Sequence, residues 1–329
     1  MRSDEVFGRM TDAARARGVG EIEAIIATEN QALTRFANNA IHQNVAEQAR
    51  HLSVRVAING RTARASTNRV DRDSIGAVVE QAIAITRSSE PDPELLPMAG
   101  PAAFESAPRF FEATARTTPQ ERALAVSEAI RAVEDGGQTA AGIYATGESS
   151  LAIFNSRGVA AEHRESLARF SITAMAGDSS GWAKASACYH GDIDPVALAF
   201  TARQKAEASG SPREIPPGKY TVILEPAAVL DLAGQMFADF SATAIRDGRS
   251  FLNDRLGKQI FGENITIHDN ALHALQAGAP FDAEGVPRRR LTLVDRGVPR
   301  EIAHCRQAAA IAGVEPTGHG YPLPNEYGE

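Results

Sequence analysis

Residues 51–66, which read HLSVRVAINGRTARAS, constrain the fold more than any other stretch of the chain. Apolar residues alternate with polar ones on both sides of Asn59-Gly60. That pair suits a two-residue type I′ turn, where both central residues need φ > 0. An antiparallel hairpin here commits the first unit to a sheet. Glu21–Thr28 supplies a further strand, and Leu33–Asn38 with His42–Ala46 a second, more polar pair. Two helices flank them. One spans residues 4–17, with Val6, Met10 and Ala13-Ala14 on one face and Gly18 and Gly20 closing it. The other spans Ile75–Arg87, capped by Asp73-Ser74, with Ile75, Val78, Val79, Ala82 and Ile83 turned inward. Residues 1–90 therefore read as an α/β domain.

Residues 91–117 are rich in Pro and Ala without periodicity and read as a linker. A second domain, 118–209, opens on Thr118-Pro-Gln-Glu121, a capping box with Pro at the first helical position. Its helix stops at Gly136-Gly137. Short strands follow over Thr139–Thr146, Ser149–Asn155, Gly158–Glu165 and Ala168–Ala176, and a last helix from Asp194-Pro195 to Ala208. The third domain, 210–329, begins with a Pro-rich boundary and the β-branched run Tyr220–Leu224, which predicts a buried strand. Pro226 then starts a helix whose Val229, Leu232, Ala233, Met236, Phe237 and Phe240 form one apolar stripe. Further strands are expected over Ile265–His268 and Arg290–Asp295, and Glu315–Glu329 is too rich in Gly and Pro to close a domain. The fold class expected is α+β: an α/β N-terminal unit, a second unit of helices and antiparallel strands, and an incomplete, β-rich third unit with one central helix.

Composition excludes several function classes. With 43% hydrophobic and 23% charged residues, the chain is ordinary for a globular protein. Its net charge of −7 argues against a general nucleic-acid binder. The one basic run, Arg288-Arg289-Arg290, reads as a solvated strand edge in preference to a phosphate site. Cys188 and Cys305 form no CxxC pair, as expected for a reducing cytoplasm. The N-terminus lacks the apolar core of a signal peptide. No run approaches the roughly 18 apolar residues of a membrane span.

Sites for chemistry are sparse. None of the eight histidines pairs with another at the spacing that puts two ligands on one helix face. His268 and His273, with Asp269 between them, read as a surface loop more readily than as a metal site. There is no P-loop, no GxGxxG and no GxSxG elbow. Asp282 and Glu284, two apart beside Gly285, would share one side of an extended segment. Such a pair can serve as acid and base, hold a cation or bind a peptide amine, or be a solvated turn. His319, between Gly318 and Gly320, has a backbone free to approach a ligand closely, or is a structural loop histidine.

Four motifs of the third unit, taken in order and by spacing, resemble the TldD/PmbA family. They are Gly248-Arg-Ser-Phe-Leu252, Leu256-Gly-Lys-Gln259, Phe281-Asp-Ala-Glu-Gly-Val286 and Pro316-Thr-Gly-His-Gly320. The hairpin and Glu80-Gln-Ala82 of the first unit agree more loosely. The family is associated with metallopeptidase activity and, historically, with modulation of DNA gyrase. The resemblance implies two kinds of subunit. TldD-type members carry a zinc-binding HExxxH on the helix that here reads Val229-Leu-Asp-Leu-Ala-Gly-Gln-Met236, with a Cys nearer the C-terminus as third ligand. PmbA-type (TldE) members lack that motif and pair with the TldD type.

On this resemblance the chain is a cytoplasmic, PmbA-like subunit with no catalytic residue, metal ligand or cofactor of its own. Zinc is expected in a TldD-type partner, with which it forms a heterodimer, the alternative being a homodimer. Its substrate is an unfolded peptide, contacted by Ser250, Asp282, Glu284, Gly318 and His319, and neither nucleic acid nor membrane is expected as a partner. The rival expectations are a hydrolase built around Asp282, Glu284 and His319, and a non-catalytic peptide-binding or gyrase-modulating protein. The resemblance also implies that relatives continue beyond the Pro316–Gly320 motif, so the third unit is expected to be C-terminally shortened.

Overall fold

The computed structural model describes residues 2–329. Its fold is α+β, with helices packed on an antiparallel sheet. The elements are α1 (Ser3–Arg15), β1 (Glu21–Ala37), β2 (Ala40–Ile58), β3 (Arg61–Thr67), α2 (Arg72–Ser88), α3 (Glu112–Ala115), α4 (Pro119–Glu134), β4 (Thr139–Asn155), β5 (Ala160–Ala176), β6 (Ser179–Ala187) and α5 (Pro195–Ala208). The third unit contributes α6 (Pro226–Gly234), α7 (Ala242–Arg246), β7 (Ile267–Asp269), β8 (Leu291–Asp295), β9 (Val298–Pro299) and α8 (Arg306–Ala312).

The expected hairpin is present, with Asn59 at φ 48° and Gly60 at φ 74°. A second such turn, Asn38-Asn39, also has both residues at positive φ. The polar segments read as separate short strands are continuous ladders: β1 is 17 residues long, β4 and β5 likewise. β6 follows β5 through a turn, although its small, polar sequence SSGWAKASA gave no strand signal. The six strands form one sheet of order β3-β2-β1-β4-β5-β6. β1 pairs with β4, Ala24 opposite Phe154 and Thr34 opposite Tyr144, so the sheet runs without a break from residues 21–67 into residues 139–187.

Register then sorts the two faces. Ile22, Ala24 and Ile26 of β1 lie with Leu52, Val54, Val56 and Phe154 against α1 and α2. Ala140, Tyr144, Phe170 and Ile172 continue that face against α4 and α5. The opposite face carries Glu23, Ile25, Arg55 and Ile153. It is covered near one end by residues 97–111 and the third unit, where Phe281 packs edge-on against Phe104 at 5.4 Å. Asn155 donates to the carbonyl of Ala99, so the segment expected as a linker is packed on the sheet.

The third unit departs from expectation most. Tyr220–Leu224 is no strand: it is irregular, its backbone forms no backbone hydrogen bond, and Ile223 is 98% exposed. A β-branched run needs a neighbouring strand and a surface to pack on, and neither is present among the described residues. The following helix ends at Gly234, and a 3₁₀ turn occupies Phe237–Phe240. Of the expected inward stripe only Phe240 is buried. Strand content in this unit is limited to β7, β8 and β9, while α8, capped by Cys305, was not anticipated.

Candidate functional site

Three loops of the third unit converge beside β7. The first is 281–288, which Asp282 folds back on itself. Its Oδ1 accepts the Glu284 and Val286 N–H groups, both at 2.9 Å, and its Oδ2 accepts that of Gly320 at 2.7 Å. The second is 317–320. Gly318, at φ 75°, sits where a Cβ would lie 2.2 Å from the Pro287 carbonyl oxygen. At Gly320 a Cβ would lie 2.4 Å from Glu284 Oε2. The close approach these glycines permit is thus to the chain's own 282–288 loop. The third loop, 270–276, is pinned by Arg109, which donates to the carbonyls of Ala271 (2.5 Å) and His273 (2.9 Å).

Between these loops and α6 opens a cleft of about 1100 Å³. Its walls include Ile267–Asn270, His273, Asp282, Arg288, Gly318–Tyr321, Leu230 of the exposed helix and Phe237 of the 3₁₀ turn after it. Asp269 is the hub of its polar wall. It bonds His319 Nε2 and Gln276 Nε2, and Arg288 Nη2 donates to it at 2.8 Å. Burial works against its ionisation, but the hydrogen bonds from His319 and Gln276 and the charge of Arg288 outweigh burial. They hold the carboxyl well below the usual range. His319 Nδ1 meets Thr317 Oγ1 at 2.9 Å. The Asp–His–Thr order suggests a nucleophile relay, but Thr317 is buried, accepts the His304 N–H at 2.8 Å and donates to the His304 carbonyl. Both ring nitrogens of His319 are engaged. The cluster can orient and bind; it offers no free base or nucleophile.

Asp282, Gly318 and His319 line the cleft, but Glu284 lies behind it and Ser250 is not among its lining residues. Ser250 Oγ donates to the Asp239 carbonyl at 2.7 Å and accepts the Leu252 N–H at 2.9 Å, closing a buried turn. Glu284, 3% exposed, accepts the Arg306 N–H at 3.0 Å. Burial pushes its carboxyl up to about 7, and neighbouring Asp282 adds to the effect against the opposing Arg306. Burial also raises Asp282 above the ordinary value despite its three backbone donors.

The arrangement expected of a hydrolase around Asp282, Glu284 and His319 is not formed. Each side chain is committed to a different partner, and no group of three His, Cys, Asp or Glu suited to a metal occurs among the described residues. Cys305 accepts the Ala308 N–H, and burial pushes its thiol up to about 12, far from the thiolate a metal takes. Asp269 and Arg288 were missed as site residues. An acid at the end of a short strand and the first Arg of a basic run carry no signal that Asp269 meets His319, 50 residues away in sequence, or that Arg288 meets Asp269, 19 residues away. Arg289 and Arg290 are exposed, as a solvated run should be.

Comparison with known proteins assigns these features to a family. Residues 23–86, 112–209 and 217–326 match, in order, domain 1, the central domain and the C-terminal domain of the PmbA/TldA metallopeptidase. A metalloprotease of Methanothermobacter thermautotrophicus is 26% identical over 282 residues, which are 81% of this chain and 60% of that protein. Metalloprotease PmbA of Escherichia coli O157:H7 is 26% identical over 292 residues, 83% of this chain and 63% of its own length. The chain therefore spans about three-fifths of these curated relatives. A solved structure from Thermotoga maritima, named for modulation of a DNA gyrase, superposes with a TM-score of 0.84 at 21% identity over 97% of this chain and 75% of its own; at that identity the likeness is one of fold. Three successive domain matches in the order of the fold make the conclusion plain: the chain belongs to the PmbA/TldD family of metallopeptidase-related proteins.

Proposed function

We propose that this chain is the zinc-free, PmbA-type partner of a TldD-type zinc peptidase in the cytoplasm, and that its cleft holds an extended, unfolded peptide which the partner cleaves. The composition of α6 and the turn after it carries the reading. Where the family's zinc-binding motif is expected, Val229–Met236 offers aliphatic, amide and thioether side chains and one exposed carboxylate, Asp231. Zinc sites draw on several Cys, His, Asp or Glu ligands in a tetrahedral array, and these residues do not fit one. No step of hydrolysis is therefore assigned to this helix. The cleft supports the peptide half of the proposal. β7 has a strand neighbour on one side only, β8, and it lines the cleft. An extended peptide can add to that free edge through backbone hydrogen bonds, which make recognition tolerant of sequence. Asp282 and the Asp269–His319–Arg288 cluster then supply fixed polar groups along the wall. No helix among the described residues is long and apolar enough to cross a membrane.

Metal content by mass spectrometry tests this directly, on the chain alone and after co-expression with a TldD-type subunit. About one zinc per pair is expected in the complex and far less than one in the lone chain. Peptide hydrolysis sensitive to chelators should appear only with the complex. Stoichiometric zinc, or chelator-sensitive hydrolysis, in the lone chain would overturn the reading.

A further inference from the structure

Arg109 is buried without the partner its charge calls for. It is 3% exposed, its Nη2 bonds only two backbone carbonyls, and its Nε and Nη1 have no partner. A buried guanidinium without a carboxylate is a poor source of stability, because the hydration it loses is not replaced. A neutral donor would hold two carbonyls at lower cost. What a guanidinium offers instead is a rigid fork of directed donors. Its own placement is firm. The Arg109 carbonyl accepts the Ser166 N–H at 3.0 Å, and the Phe111 N–H donates to Ser166 Oγ at 2.9 Å. The chain on either side of the guanidinium is thus fastened to β5 of the central domain.

The carbonyls that Arg109 holds belong to the 270–276 loop, which has no helix or strand of its own. Among the described residues, the hydrogen bonds that tie residues 270–278 to the central domain are these two and one more. The third runs from the Gly278 N–H to Glu165 Oε2, at 3.2 Å. The loop's remaining bonds are internal or lead into the cleft, and Gln276 is the link. Its N–H donates at 3.0 Å to the same His273 carbonyl that Arg109 holds. Its side chain accepts the Asn270 N–H at 2.7 Å and donates to Asp269 Oδ1. His319 and Arg288 both meet the other oxygen, Oδ2. With Oδ1 taken by Gln276, the carboxylate has one orientation and brings both partners to a single oxygen. A displaced loop would take the donor from Oδ1 and let the carboxylate turn, so that the two partners divide between its oxygens. We propose that Arg109 is a positioning residue for the cleft: from the central domain, through the His273 carbonyl and Gln276, it fixes the Asp269 carboxylate and with it the His319 imidazole. Its effect on peptide affinity rests on the reading of the cleft given above; its effect on His319 does not.

The test follows the His319 ring nitrogens by NMR in the full chain, assigned against His319→Gln. Alongside it runs the affinity for a fluorescein-labelled, unstructured decapeptide. Arg109→Met fills the space of the stem and removes a charge that has no counter-charge, so the fold is expected to persist. Arg109→Lys keeps the charge but replaces the fork by a single point donor. It is the milder variant, and decides the question if the methionine variant does not fold. In Arg109→Met and in Gln276→Ala the His319 signals should move in the same direction, and the peptide should bind about tenfold more weakly. Arg109→Lys should give the same changes to a smaller degree. Combining Arg109→Met with Gln276→Ala should enlarge neither effect, because the two residues act in series. Asn155→Ala frees the Ala99 carbonyl of the same segment but touches no part of the loop, so both readouts should stay as in wild type. Unmoved His319 signals in the Arg109 variants overturn the proposal. So do effects of Arg109 and Gln276 that add, or an equal response in Asn155→Ala, which would make Arg109 a general staple of the segment. A wild type that binds no peptide overturns the functional reading, while the His319 signals still decide this one. Peptide affinity that Arg109→Met leaves unchanged overturns this one alone.

Discussion

At Glu284 a carboxyl group sits where solvent barely reaches, between the Arg306 amide and the backbone of Gly320. Its ordinary value of 4.5 is pushed up to about 7. The proton is therefore held more tightly in the folded than in the unfolded protein. The stability associated with that proton is fully present below about pH 4.5 and is lost as pH rises through about 7. From the size of the shift, the loss is on the order of 3 kcal/mol. Glu284→Gln keeps an oxygen for the Arg306 amide and removes the charge. The variant should be more stable than wild type at pH 8, by on the order of 3 kcal/mol, and about equal at pH 4.5. Urea unfolding at the two pH values measures this, and a difference that does not change with pH would refute it. Asp269 works with the opposite sign. Its carboxyl is held low, so it stabilises above pH 3.8 and that contribution fades as pH falls further. Because Asp269 is unchanged in the variant, its contribution cancels from the comparison.

The 317–320 loop is an element whose backbone path is set by a glycine. Gly318 and Gly177 both have left-handed φ, 75° and 60°, but a Cβ on Gly177 meets nothing within 4 Å, whereas one on Gly318 meets the Pro287 carbonyl. Alanine at either position carries the left-handed cost of about 1–2 kcal/mol. Gly318→Ala should cost clearly more than Gly177→Ala in denaturant unfolding, since the 286–288 backbone must also move. Equal costs would show that the loops are not in contact. These elements differ in how legible they are. The Asn59-Gly60 hairpin, the Thr118–Glu121 capping box and α5 stand in the sequence because turn and cap chemistry is local. β1, β4 and β5 read as broken strands because their middles, such as Glu29-Asn30-Gln31, are polar, and the ladder that carries them comes from neighbours far away in sequence. β6 was invisible because Gly181 and small residues let it press against α5, where a Cβ at 181 would lie 2.0 Å from the Ala202 carbonyl. Tyr220–Leu224 erred the other way: its local signal is strong, and no partner among the described residues answers it. Three residues of the cleft wall were anticipated from motif spacing, Asp282, Gly318 and His319. Asp269 was not, since pairing across 50 residues leaves no local trace.

Across the whole molecule, one buried row of charge joins the sheet to the third unit. Glu23, Arg55 and Arg64 stand opposite one another on β1, β2 and β3. Glu23 bonds Arg55 at 2.8 Å and Arg64 at 2.6 Å, all three nearly inaccessible to solvent. Arg64 Nε also donates to the Leu323 carbonyl at 2.8 Å, and Arg306 Nη2 reaches the Pro97 carbonyl at 2.7 Å. Two guanidinium groups thus depend on one carboxylate, and one of them holds the strand at the sheet's edge and the C-terminal loop together. Glu23→Gln leaves both cations buried without a counter-charge, which should cost on the order of 3–5 kcal/mol. Glu148→Gln supplies the contrast. Its partner Arg164 is 52% exposed, and loss of such a pair costs about 1 kcal/mol or less. The expected signature is where protection is lost as well as how much. In hydrogen exchange, Glu23→Gln should loosen β3 and residues 317–324 together, because the same guanidinium serves both, while Glu148→Gln leaves residues 317–324 unchanged. If residues 317–324 keep their protection in Glu23→Gln, the third unit is held by its apolar contact through Phe281 and Phe104, and the charged row serves the sheet alone.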